Sequence, residues 1–181
     1  VDIPTNRQCQ PNARYLNWYG GGGIEVSGNG NQVGGLGAGE GNIIASLLFA
    51  SADPLTTPDN AIDVNRSEHI IVGNQIGRTQ NGTDVGTCGD GIIVSDSFNQ
   101  VLTNTVVGAK GIALGLFASP FAVSAVTFNG NILKDNGTAF EFGPLVPDEL
   151  KLFMPSKITD ISGTTVTGEN ADPTPRPGLP P

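Results

Sequence analysis

Asn60 to Gly77 reads NAIDVNRSEHIIVGNQIG, and Asp90 to Val107 reads DGIIVSDSFNQVLTNTVV. Set one above the other without a gap, the two stretches repeat a single phrase. Ile62 falls on Ile92, Val64 on Val94, Ser67 on Ser97, Ile71 on Val101, Asn74 on Asn104 and Ile76 on Val106. Every pair is 30 positions apart (92 − 62 = 30). A copy at a fixed offset implies a unit that cannot bury its apolar face alone and stacks on its neighbour.

The unit predicts short strands. Ile-Asp-Val and Ile-Ile-Val alternate in, out, in. A polar corner follows, then a second short strand, an Asn, and a third β-branched segment. No stretch carries a long apolar period of 3.6, so helices are not expected. Closely spaced strands with Gly, Asn and Asp corners predict an all-β fold, a parallel β-helix or β-solenoid.

Weaker copies extend the pattern. Ile24-Glu25-Val26 is followed by Asn31-Gln32-Val33, and Asn42-Ile43-Ile44 takes the place of Asn74-Gln75-Ile76. Downstream come Gly111-Ile112-Ala113-Leu114, Asn131-Ile132-Leu133, Phe140-Glu141-Phe142 and a last strand pair within Lys157 to Gly168. First strands starting at Ile24, Ile62, Ile92, Ile112 and Phe140 give about five irregular coils. Asn42, Asn74, Asn104 and Asn131 are then expected to stack at one inward corner as an Asn ladder that satisfies turn backbone. The domain reading is an extended cap or docking segment over 1–19, the β-helix over 20–168 and a Pro-rich tail over 169–181.

The G-I-x-V…N-x-[IV] phrases between Gly23 and Gly143 resemble the right-handed parallel β-helix superfamily of pectate-lyase-like and nitrous-oxide-maturation-type repeat proteins. The resemblance implies the right hand, which agrees with the general hand of parallel crossovers. It speaks to fold and is nearly silent on chemistry.

Composition narrows the classes. Charged residues make up 14% of the 181 and the net charge is −8, with no basic patch, so nucleic acid and anionic membranes are excluded as partners. Gly111 to Leu133 carries no charge, but Pro120 and coil phrases at both ends argue against a membrane span. Two cysteines, Cys9 and Cys88, with the lone His69, do not make a zinc site; a disulfide between them is the functional reading, two unpaired thiols the alternative. Low Lys content and Asn/Gly/Thr richness point to an extracellular or cell-surface location. Asn65, Asn81 and Asn136 open N-x-[ST] sequons, each at a predicted corner and each a candidate for glycosylation.

Pectate-lyase-like enzymes work on the outer face of the first sheet. Here that row is expected to read Glu25, Asp63, Ile93, Ala113, Glu141. Glu25 and Asp63 are adjacent in it, and such a pair is either splayed into solvent beside Arg66 or bridged by a cation, for which Ca²⁺ is the candidate. Beyond them the row turns apolar where a substrate groove is polar, and no basic residue stands on the expected strand. His69 aligns with Asn31 and Asn99, a corner position and not a catalytic one. The favoured function is a secreted or cell-surface structural module, a filament or surface-layer subunit or adhesin-like binder. It would self-associate, or meet another surface protein, through end coils and termini. The alternative is a polysaccharide-active enzyme (lyase, hydrolase or uronate epimerase). The balance leans away from an enzyme.

Overall fold

The computed structural model describes residues 10–11, 23–45, 49–50, 60–116, 126–142, 158–160 and 163–167. Most of the segment 1–19, with Cys9, and the tail 169–181 lie outside them, so the expectations placed there are not addressed by the fold.

The described chain is all-β. In order come β1 (Gln10–Pro11), β2 (Ile24–Val26), β3 (Gln32–Gly34), β4 (Ile43–Ile44), β5 (Phe49–Ala50), β6 (Asn60–Val64), β7 (Ile70–Val72), β8 (Gln75–Ile76) and β9 (Asp90–Val94). The series continues with β10 (Gln100–Leu102), β11 (Thr105–Val107), β12 (Ile112–Leu116), β13 (Val126–Asn129), β14 (Ile132–Lys134), β15 (Thr138–Phe142), β16 (Ile158–Asp160) and β17 (Thr165–Thr167). No helix occurs among the described residues, and none there is long and apolar enough to cross a membrane.

Three five-stranded sheets hold the structure. Their strand orders are β2-β6-β9-β12-β15, β3-β7-β10-β13-β16 and β4-β8-β11-β14-β17, and every neighbouring pair is parallel. The chain therefore visits the sheets in rotation and returns one strand further along, an arrangement consistent with a β-solenoid. β1 and β5 form a separate two-stranded parallel sheet. The inward side chains of all three sheets meet in one core: Ile62, Ile92 and Leu114 from the first, Ile71, Val101 and Phe128 from the second, Ile76, Val106 and Leu133 from the third. Each of these nine is fully buried, which supplies the hydrophobic driving force that single three-residue strands lack. Phe128 and Phe140 add an edge-on ring contact, centroids 6.4 Å apart.

The 30-residue phrase is paired in the register the alignment predicts. Ile62 faces Ile92, Val64 faces Val94, Ile71 faces Val101 and Ile76 faces Val106. One circuit departs from expectation. Leu114, not Ile112, stacks between Ile92 and Phe140, so the outward row is Glu25, Asp63, Ile93, Gly115, Glu141, and Ala113 is not in it. Matching Gly111-Ile112 to Gly91-Ile92 misplaces the strand by two residues. Ile112 instead sits at the level of Asp90, whose carboxylate accepts its N–H at 2.7 Å. Ala113 turns inward at the corner with Ala61 and Ala139, all three fully buried. Gly23 and Gly91 hold the same place, each directly before its strand's first aliphatic residue. A Cβ on Gly91 would come within 2.8 Å of the Val106 side chain. Only small residues fit where two sheets converge.

The corners are made by left-handed residues. Gly30, Glu68 and Phe98 precede Asn31, His69 and Asn99, with φ of 70°, 67° and 57°. Gly73, Thr103, Gly130 and Gly163 precede Asn74, Asn104, Asn131 and Thr164, with φ of 68°, 53°, 66° and 66°. Asp135 precedes Asn136 at 53°. One left-handed residue turns the chain toward the next sheet and delivers the next side chain inward.

Candidate functional site

The polar residues delivered inward at these corners form hydrogen-bonded files. Asn74 Oδ1 accepts both the N–H (3.1 Å) and the Nδ2–H (2.9 Å) of Asn42. Asn104 Oδ1 does the same for Asn74 (3.0 and 2.9 Å), and Asn131 Oδ1 for Asn104 (2.9 and 3.2 Å). Each Nδ2 also donates backwards, Asn74 to the Val33 carbonyl, Asn104 to that of Ile71 and Asn131 to that of Val101. Asn74, Asn104 and Asn131 are 0% exposed, yet no amide atom is orphaned. Thr164 ends the file: its Oγ1 accepts the Asn131 N–H at 3.4 Å and donates to the Phe128 carbonyl.

A second file occupies the preceding corner. The His69 N–H donates to Asn99 Oδ1 at 2.9 Å, and the Asn31 N–H donates to His69 Nδ1 at 3.0 Å. Backbone N–H groups only donate, so Nδ1 carries a lone pair, and Nε2, 3.2 Å from the Asn65 carbonyl, carries the proton. The imidazole is an isostere of the corner carboxamide, one acceptor and one donor. It is 0% exposed and both ring nitrogens are engaged within the corner. The third corner contains Asn136, 1% exposed, with Oδ1 accepting the Ala109 N–H and Nδ2 donating to the Val106 carbonyl. Its sequon is thereby sealed in the folded chain, and Asn136 drops from the candidate glycan acceptors. Asn65 is half-buried and Asn81 exposed.

Outside, the structure brings Glu25 and Asp63 together as register partners on β2 and β6. Burial lifts the Asp63 carboxyl above its ordinary value and the Glu25 charge adds to this, while side-chain hydrogen bonds from Asn65 and Asn60 pull the other way. Such a pair can hold a proton or contribute two oxygens to a cation. Among the described residues no three His, Cys, Asp or Glu side chains converge as a metal site. Arg66, expected beside the pair, lends its carbonyl to Asn99 Nδ2 and is exposed.

Two features escaped the sequence reading. Arg78 and Asp84 close a small hairpin, with Nε to Oδ1 at 2.7 Å, and Lys134 from β14 reaches Asp84 Oδ2 at 2.8 Å. The two hydrogen bonds, Arg78's first, hold the Asp84 carboxyl below its usual range, and Asp84 raises the Lys134 amine. The polar excursion after β8 is thus strapped down two strands away. Asp90 is the second: 3% exposed, its Oδ1 would overlap any side chain on Gly111, at 1.9 Å. Burial raises its pKa to about 6, the Ile112 N–H opposes this, and Glu141 adds a smaller push upward. Cys88, one half of the expected disulfide, is 9% exposed beside this corner; its expected partner Cys9 lies outside the described residues.

Two outcomes follow for stability. Asn104→Ala leaves the Asn74 N–H buried without its acceptor and removes one of the donors to the Ile71 carbonyl, and is expected to cost on the order of 1–3 kcal/mol in denaturant unfolding; an unchanged midpoint contradicts it. Asp90 has a folded pKa raised from 3.8 to about 6. Its protonated form is favoured in the folded state, so the stability it contributes is complete below pH 3.8 and is lost as pH rises through about 6. Asp90→Asn should be more stable than the parent at pH 7.5, by up to about 3 kcal/mol, and equal to it near pH 3.5. Parallel unfolding curves across that range would refute the assignment.

The chain matches no protein-family model, no curated protein and no solved structure, so its chemistry rests on the geometry above.

Proposed function

We propose that this chain is an extracellular or cell-surface structural module, a right-handed parallel β-helix that acts as an assembly subunit. The observation that supports it is the way the three sheets end. β2, β3 and β4 are edge strands at one end and β15, β16 and β17 at the other. The first core layer, Ile24, Val33 and Ile44, is only partly buried, whereas the residues that pair with it, Ile62, Ile71 and Ile76, are fully buried. Exposed strand edges over partly open core are templates for another chain. The inward side chains of Asn42, Asn74, Asn104 and Asn131 are bonded in series, which suits a scaffold.

The N-terminal segment is assigned a docking role, tied to the body by a Cys9–Cys88 disulfide. Sedimentation velocity and electron imaging of the full chain should show concentration-dependent assembly. Deleting Val1 to Tyr19 should abolish it while the β circular-dichroism signal persists, and reduction should weaken it, with intact mass rising by two hydrogens. A monodisperse monomer at high concentration overturns the proposal.

The second reading, a polysaccharide-active enzyme, is favoured by one feature, the raised Asp63 carboxyl beside Glu25. It requires turnover of pectate, alginate or another uronate polymer, with or without Ca²⁺, that is lost in Asp63→Asn. We expect no unsaturated product and no epimerisation. Reproducible turnover reverses the ranking.

A further inference from the structure

The files of corner residues have a direction. In each, the backbone N–H of one circuit donates to the side-chain acceptor of the next, an oxygen or, at His69, Nδ1, and the corner carbonyl accepts the N–H that opens the next circuit's strand. Asn42, Asn74 and Asn104 donate onward to Asn74, Asn104 and Asn131. Their carbonyls accept from Gln75, Thr105 and Ile132, each at 2.8 Å, and the Asn131 carbonyl accepts from Thr165 at 2.8 Å. A series with a direction has unlike ends.

At the last circuit, Thr164 follows Asn131 in the file, and among the described residues neither its N–H nor its carbonyl has a partner. At the first circuit, Asn42 donates to Asn74, but its own Oδ1 accepts no hydrogen bond among the described residues. β4 is bonded to β8 through the carbonyls of Asn42 and Ile44. Alternate residues of a parallel strand face opposite sides, so the N–H of Ile43 faces the open side. Gln32 stands likewise on β3, whose neighbour β7 is bonded through the Asn31 carbonyl.

We infer that the first circuit of one chain docks in register on the last circuit of a second copy, with Thr164 N–H donating to Asn42 Oδ1 and Ile43 N–H donating to the Thr164 carbonyl across the joint. This rests on the assembly reading and specifies its geometry. The two bonds are those that every interior level of the file already makes. A donor and an acceptor are missing at one end, and their complements are missing at the other. The partly open layer of Ile24, Val33 and Ile44 closes in the same step. The contact is heterologous, so the product is an open fibre along the sheet-stacking axis unless the rotation closes.

The test uses the full chain and two proline variants. Ile43→Pro and Gln32→Pro each delete an N–H that faces the open side, on different sheets, and an edge strand tolerates proline there. Each should keep the parent's circular dichroism and raise the concentration for half-assembly at least about tenfold. Fibre diffraction of the parent should show a spacing of about 4.8 Å along the fibre axis, and imaging a subunit repeat of about 24 Å, five strand spacings. Assembly with proline variants that associate as well as the parent, or with strands running along the axis, overturns the in-register joint and leaves the assembly reading standing. A parent chain that stays monomeric overturns both. If both variants misfold, the axial repeat of the parent decides alone.

Discussion

The structure depends on pairing the backbone N–H that each corner would otherwise bury unsatisfied. A chain that turns from sheet to sheet must leave the strand ladder at every corner, and the peptide groups there are inside the stack. A left-handed residue followed by an inward carboxamide answers both needs. The first turns the chain, as at Gly73 and Thr103, and the second, as in Asn74 and Asn104, supplies an oxygen for the circuit before it. The Oδ1 atoms of Asn74, Asn104 and Asn131 each take two donors, and the Nδ2 groups of Asn74 and Asn104 each give two protons. An aspartate there would present a buried charge and a leucine would strand the N–H. Carboxamide is the group that fits, and His69 fits because one tautomer imitates it.

These files also explain how unequal circuits coexist. Corner and strand positions are fixed by their partners above and below, so the length between them is free to vary. The hairpin closed by Arg78 and Asp84 is accommodated as an outward excursion, fastened by Lys134. Non-glycine left-handed residues recur at matching places, Glu68 and Phe98, which are 30 positions apart (98 − 68 = 30). Phe98 is 54% exposed, so its presence there is not a packing demand; the structure offers no account of why an aromatic residue stands at that corner.

The all-β class, the parallel stacking and the 30-residue register could be read from the chain, because a repeat exposes every inward position twice. The reading failed where the repeat is imperfect. Ile112 looks like the copy of Ile92, but two residues are consumed in covering Asp90, and the pairing of Leu114 with Ile92 and Phe140 sets the shift. Asn136 read as a surface sequon because the motif says nothing about burial. A usable signal was present in the pairs Gly30-Asn31, Gly73-Asn74 and Gly130-Asn131, a flexible residue followed by a carboxamide, which mark inward corners. Thr164 after Gly163 belongs to the same pattern with a different side chain. The Asp84 bridge was not legible, since Lys134 lies 50 positions away and no periodicity links them.

The stack is built in series, each circuit pairing its strands only with those of its neighbours, and its circuits are unequal. Measured between the stacked residues Ile24, Ile62, Ile92, Leu114 and Phe140, successive circuits contain 38, 30, 22 and 26 residues (62 − 24, 92 − 62, 114 − 92, 140 − 114). With the proposed Cys9–Cys88 link reduced, tension applied between the two ends of the chain loads the terminal circuits first, in an unzipping geometry that breaks a few hydrogen bonds at a time. The fold then yields as a ratchet of small releases, each paying out one circuit of slack at about 3.4 Å per residue. Such a material is soft to peeling and stiff to compression, and the shortest circuit, between Ile92 and Leu114, gives the least slack of any.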